Sequence, residues 1–210
     1  TYLILGKASM SLVANDITSL SYSPSNLAIN TTYYWKVVAT DPTGSTTSSV
    51  MNFTYIFVLP STIIVDANGN GHFTTIQVAI DSANAGNTIL VWAGTYNEDL
   101  EIDKMLTLIG NGTTSSIING TGTSNTDAVK ITADWVNLSG FKIKDSDGLS
   151  TGQHGIYINS DNNVITNINI LYADVWGIYL TSSNNNTIHN NVIKYGGIGG
   201  IMQYYSNYNK

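Results

Sequence analysis

The chain has 210 residues, room for one domain or two small ones. Its 8 basic residues are all lysine and face 14 acids, a net charge of −6, so the basic stripe that a nucleic-acid partner needs is missing. Charged residues make up 10 % and apolar ones 42 %, with no run near the roughly eighteen apolar residues of a membrane span, which excludes a disordered chain and a spanning one.

With no cysteine there is no thiol nucleophile and no thiolate metal site, and the redox compartment stays open. The sequence begins at Thr1 without a leader-type apolar stretch and reads as a mature chain or a piece of a longer one. Low charge and a Thr/Asn/Ser surface point to an extracellular or cell-surface microbial protein. Six Asn-x-Ser/Thr sequons, at Asn30, Asn52, Asn111, Asn119, Asn137 and Asn185, are glycosylation candidates, though a chain this rich in Asn and Thr also makes sequons by chance.

Residues 2–6 read as a strand. Residues 32–39 form a clearer one, with Tyr33, Trp35, Val37 and Ala39 on one face and Tyr34, Lys36 and Val38 on the other. Asp41-Pro42-Thr43-Gly44 is a turn by composition, and a further strand follows over 48–55. Leu27, Thr31 and Tyr33 stand at the L-x-x-x-T-x-Y spacing, so residues 1–59 resemble the later half of a fibronectin type III domain. That resemblance implies an immunoglobulin-like sandwich in which the Tyr33 hydroxyl bonds back to the backbone and Leu27 is structural.

Composition shifts near Pro60. The part up to Pro60 carries two Lys and two Asp, and the rest carries the whole net charge of −6. A strand at 63–65, a Gly/Asn turn and a helical period over 74–84 follow, with Ile76, Ala79, Ile80 and Ala83 on one face. A buried strand over 88–92 then leads into Ala93-Gly94-Thr95-Tyr96-Asn97-Glu98. Downstream, Gly155-Ile156-Tyr157-Ile158 recurs as Gly177-Ile178-Tyr179-Leu180. Asn163, Ile165, Asn167 and Ile170 recur as Asn186, Ile188, Asn190 and Ile193, and Leu138, Gly140 and Ile143 match Ile165, Asn167 and Ile170 one longer step earlier. Short apolar strands broken by Asn/Gly turns at this recurring interval mean stacked coils. Asn167 and Asn190 are structural in this reading, because Asn tolerates the left-handed turn and aligned amides can bond one another down a ladder.

From the cap helix, the AGTYNE run and these repeats, residues 60–210 resemble the right-handed parallel β-helices of the pectin-lyase-like superfamily, with CASH-type repeats and about five coils. The fold class implied is all-β, a capped parallel β-helix preceded by a partial sandwich.

Chemistry is harder to find. Asp66-x-Asn68-x-Asn70-Gly71 copies the start of an EF-hand loop, but its twelfth position is the neutral Gln77, so a plain Gly/Asn turn is the reading. Asp145 and Asp147 could hold Ca²⁺ with Asp134 or Asp161 from neighbouring coils, against a solvated turn as the plain alternative; no other cofactor is expected. The resemblance implies an Arg or Lys base for a lyase, paired Asp with G-H-G for a hydrolase, and two Asp with Arg for an esterase. Here Arg is absent, Lys142 and Lys144 flank Ile143 as a solvated face, Asn125-Thr126-Asp127 stands alone, and His154 lacks the preceding Gly. No catalytic residue is assigned. Tyr157 and Tyr179, one coil apart and outward, could form a sugar platform with Trp176, or simply stack.

The residues favour a non-catalytic surface module that acts as an extended scaffold. Its expected partners are a polysaccharide or surface glycan and further copies of itself, joined head-to-tail by strand completion or coil stacking into filaments. The alternative is part of a polysaccharide lyase or glycoside hydrolase acting on acidic polysaccharide.

Overall fold

The computed structural model describes residues 2–6, 10–14, 24, 27–28, 31–55, 60–120, 126–144, 154–194 and 197–210. They fall into two units, Thr1–Val58 and Leu59–Lys210.

The first unit contains β1 (Tyr2–Gly6), β2 (Met10–Ala14), β3 (Thr31–Asp41), β4 (Gly44–Thr47) and β5 (Met51–Tyr55) in one antiparallel sheet. One edge of β3 pairs with β1, and the other pairs with β5 over its first half and β4 over its second. Asp41 holds the β3–β4 turn by accepting bonds from the Thr43 and Gly44 amides, and its bonds from Thr43 above all keep its carboxyl below the usual range. Tyr33 is buried against Phe53, and its hydroxyl accepts the Ala28 amide at 2.8 Å, a bond of the kind the sandwich resemblance implies. Leu27 is half-buried. The expected alternation slips past Lys36: Val38 is buried and Ala39 exposed. The ladder is irregular there, because the Val37 amide bonds the Ser48 hydroxyl between β4 and β5. The described residues of this unit supply one sheet, one layer of the two a sandwich needs.

The second unit opens with β6 (Thr62–Val65) and α1 (Ile76–Ser82), the one helix among the described residues. Five coils of three short strands follow. They are β7 (Thr88–Val91), β8 (Gly94–Asn97) and β9 (Leu100–Ile102); β10 (Thr107–Gly110), β11 (Ser116–Asn119) and β12 (Val129–Ile131); β13 (Asn137–Ser139), β14 (Lys142–Lys144) and β15 (Ile156–Ile158); β16 (Val164–Thr166), β17 (Asn169–Leu171) and β18 (Trp176–Thr181); and β19 (Thr187–His189), β20 (Val192–Lys194) and β21 (Gly199–Tyr204). Every strand pairs in parallel with its counterpart one coil away. The result is three sheets, β6-β7-β10-β13-β16-β19, β8-β11-β14-β17-β20 and β9-β12-β15-β18-β21. This is a right-handed parallel β-helix, the hand that twisted parallel crossovers impose.

Like residues stack on like. Leu138 pairs with Ile165 and Ile143 with Ile170; Ile165 pairs in turn with Ile188; Ile156 and Tyr157 pair with Ile178 and Tyr179. Inward positions on all three sheets carry fully buried Ile, Leu and Val, and Ile76, Ala79 and Ile80 of α1 plug the open end of that core. The short corner between the first and second sheets turns on Gly140, Asn167 and Asn190, with φ of 78°, 54° and 56°. Asn is the side chain that adopts this conformation most readily after Gly, which accounts for its recurrence at this corner.

Candidate functional site

The cap comes first along the chain, and its polar groups are fully used. The Asp66 carboxylate accepts both the amide and the side-chain NH₂ of Asn68 and of Asn70, and these bonds, the Asn68 amide's first, lower its pKa. The EF-hand-like string is therefore a closed turn. Gly94 leaves the space this packing uses, since a Cβ would lie 3.3 Å from both Ala67 Cβ and the Tyr96 ring. The buried Tyr96 hydroxyl accepts from the Ala67 amide and donates to the Trp92 carbonyl. Glu98 caps α1 with both oxygens, accepting the Ile76 and Gln77 amides at 2.9 Å each. The AGTYNE run is thus a docking device for the cap helix.

The corner between the third and first sheets is the most repetitive part of the chain. Residues 160–163, 183–186 and 206–209 read Ser-Asp-Asn-Asn, Ser-Asn-Asn-Asn and Ser-Asn-Tyr-Asn. Asn163, Asn186 and Asn209 accept the amides of Val136, Asn163 and Asn186, one coil back, at 2.7–2.8 Å. Asp134, Asp161 and Asn184 accept the amides of Asp161, Asn184 and Asn207, one coil forward, at 2.6–3.0 Å. Two side-chain ladders of opposite sense therefore run down one corner, with Trp135, Asn162, Asn185 and Tyr208 between them in the left-handed conformation. The carboxylates of Asp134 and Asp161 are committed to this structure. Asp145 and Asp147, the other half of the expected calcium site, lie outside the described residues, and among the described residues no three His, Asp or Glu side chains gather in a way that could hold a metal ion.

The outward column of the third sheet carries a pair of tyrosines one coil apart. Glu101, Lys130, Tyr157, Tyr179 and Met202 stand in register from β9 to β21, one per coil. Alternation turns them outward because Leu100, Ile102, Val129, Ile131, Ile156, Ile158, Ile178 and Leu180 fill the interior. Lys130 Nζ sits 2.9 Å from Glu101 Oε1, and that bond raises the lysine's pKa. The Tyr157 and Tyr179 rings lie 5.9 Å apart and tilted. His154, from the neighbouring corner, stacks on both: 4.5 Å from Tyr179 and 6.4 Å from Tyr157.

Burial lowers the pKa of His154, so its imidazole is neutral at pH 7, and its Nδ1 is buried without a hydrogen-bond partner. Asp127 accepts the His154 amide at 2.9 Å; burial raises its carboxyl pKa, and Asp99 adds to that while Lys130 opposes it. Thr126 donates to Asp99 across the coil. The two described members of the Asn125-Thr126-Asp127 string thus tie coils together, and Asn125 lies outside the described residues.

Of the expected sugar-contact residues, Tyr157 and Tyr179 come together. Trp176 stands earlier on β18, half-buried, with its ring packed over Gly199. His154, Lys130 and Glu101 are the neighbours that sequence reasoning missed. Lys142 and Lys144 belong to the second sheet. Asn52 and Asn137 are exposed and Asn111 and Asn185 stand at turns, Asn119 gives its side-chain NH₂ to Asn97 at 2.8 Å, and Asn30 lies outside the described residues. A shallow groove of about 380 Å³ lies along Gly140, Asn167 and Asn190, at another corner from the ring stack.

Residues 80–210 match the family described as periplasmic copper-binding protein (NosD). A cell surface glycoprotein of Methanothermus fervidus is 38 % identical over 117 residues, 54 % of this chain and 18 % of that protein. A probable pectinesterase of Arabidopsis thaliana is 42 % identical over 64 residues, 27 % of this chain and 19 % of that protein. The crystal structure of an alginate lyase from a Paenibacillus species superposes with a TM-score of 0.50 at 20 % identity, covering 62 % of this chain and 43 % of that one. The likeness to that structure is one of fold, the pectin-lyase-like parallel β-helix. The chain spans less than a fifth of the length of the two curated relatives.

Proposed function

We propose that this chain, which belongs to the NosD family, is a non-catalytic cell-surface β-helix module that contacts glycans through the outward column of its third sheet. The observation that carries this reading is the stack of His154, Tyr157 and Tyr179, three flat rings gathered on one outward face. Pyranose C–H faces pack on such rings, and Asp99, Glu101 and Asp127 offer acceptors for hydroxyls beside them. The surface placement is supported by the name of the Methanothermus relative. Among the described residues, no helix is long and apolar enough to cross a membrane.

Copper, in the family's description, does not suit the side chains seen here. His72 Nδ1 accepts the Ile64 amide, His154 is packed between tyrosines with Nδ1 buried, and His189 lies beside Thr166 on the first sheet. The chain has no cysteine to add. Calcium at Asp145 and Asp147 and head-to-tail self-association stay within the proposal. Calorimetric titration with CaCl₂ tests the first and light scattering across concentration the second.

The test of the glycan reading is a glycan array probed with the intact chain and with the Tyr157→Ala/Tyr179→Ala variant. Binding that the double variant loses supports it. Binding that survives the double variant, or release of reducing sugar or unsaturated product by the intact chain, overturns it.

A further inference from the structure

We propose, resting on the glycan-binding reading above, that this face selects uncharged pyranose chains and rejects uronates. Around the ring stack stand three carboxylates, Asp99, Glu101 and Asp127, and one cation, Lys130. That cation is paired with Glu101 at 2.9 Å, so the two charges offset one another and leave Asp99 and Asp127 in excess. The imidazole in the stack is buried and uncharged at neutral pH, so it supplies no second positive charge. The chain holds no arginine anywhere, and so lacks the planar fork that binds carboxylates in bidentate fashion. Of the other lysines described in this unit, Lys142, Lys144 and Lys194 stand on β14 and β20 of the second sheet, Lys104 follows β9 and lies 3.7 Å from Asp103, and Lys210 pairs by its backbone with Asn186.

A uronate chain laid along the column would set its carboxylates beside this acidic group where it crosses the first two coils, which carry Asp99, Glu101 and Asp127. A neutral chain keeps the C–H contacts and meets the same carboxylates as acceptors for its hydroxyls. The selectivity follows from like charges, a repulsive element that needs no added contact to the preferred ligand.

Isothermal titration of the intact chain with a mannohexaose or cellohexaose and with a hexagalacturonate, at low salt and at high salt, tests the proposal. The neutral chain should bind at least about tenfold more tightly at low salt, and the gap should narrow in high salt, where charges are screened. Glu101→Gln frees Lys130 and removes one negative charge, so it should raise the ratio of hexagalacturonate affinity to neutral-ligand affinity several-fold. Hexagalacturonate binding as tightly as the neutral chain, with the binding lost in Tyr157→Ala, overturns the selectivity and leaves the glycan reading standing. No binding of either class overturns both.

Discussion

Two strips of the same solenoid, close neighbours in every coil, follow opposite rules. At the corner between the third and first sheets, each side chain bonds the backbone of its own counterpart one coil away, so Asn163, Asn186 and Asn209 repeat. In the adjoining outward column, Glu101, Lys130, Tyr157, Tyr179 and Met202, the side chains meet solvent and one another, and Tyr157 repeats as Tyr179. Side chains that bond the next coil's backbone mark where the coils are held together. Side chains that face outward mark where the surface is free to carry chemistry.

That contrast can be broken most easily at the ladder. Asn186→Ala removes the acceptor of the buried Asn163 amide and the donor to the Ser160 carbonyl. It should cost about 2–4 kcal/mol, read as a shift of the urea midpoint, because both partners are left buried and unpaired. A loss below about 1 kcal/mol would mean the ladder is ornamental. Next in size is Gly177→Ala. Its Cβ would run into Ile193 Cγ2 and lie 2.8 Å from the Gly200 carbonyl, so an overpacking cost of about 1–3 kcal/mol is expected in the same assay.

Glu98→Gln keeps the shape but gives up the charge on the α1 cap. A loss of about 1 kcal/mol and faster amide exchange confined to residues 76–82 are expected. The smallest effect sharpens the comparison from the other side. Asp127 has a native pKa above 3.8, so its contribution is fully present below that value and is lost as pH rises through the raised native value. Asp127→Asn keeps an acceptor for the His154 amide without that loss. The variant should melt slightly higher than the parent at pH 7, and the difference should vanish below pH 3.8.

The stack of coils was readable because the later coils are regular. The intervals at which Leu138, Ile165 and Ile188 recur, and Tyr157 and Tyr179, are the registers between paired strands. The earlier coils hid their partners, because the first is short and the second long: Thr88 pairs with Thr107, and Thr107 with the far more distant Asn137. That irregularity is why Glu101 and Lys130 could not be placed beside each other or in line with Tyr157. His154 was hidden for a different reason: it joins the tyrosines from the corner, outside strand alternation. Glu98 caps a helix that lies a whole coil upstream, a contact with no local signature. Asn163 and Asn186 could be matched by spacing, but the opposite sense of the two ladders needs the backbone positions to be seen.

Binding at the outward column of the third sheet has one direct test: amide exchange by mass spectrometry, with and without a saturating neutral oligosaccharide. Added protection should fall on peptides spanning residues 154–158 and 176–181, leaving 132–136 and the first unit unchanged. Protection centred on the Asn corner or on residues 31–55, or none at a concentration where calorimetry reports binding, would contradict the account.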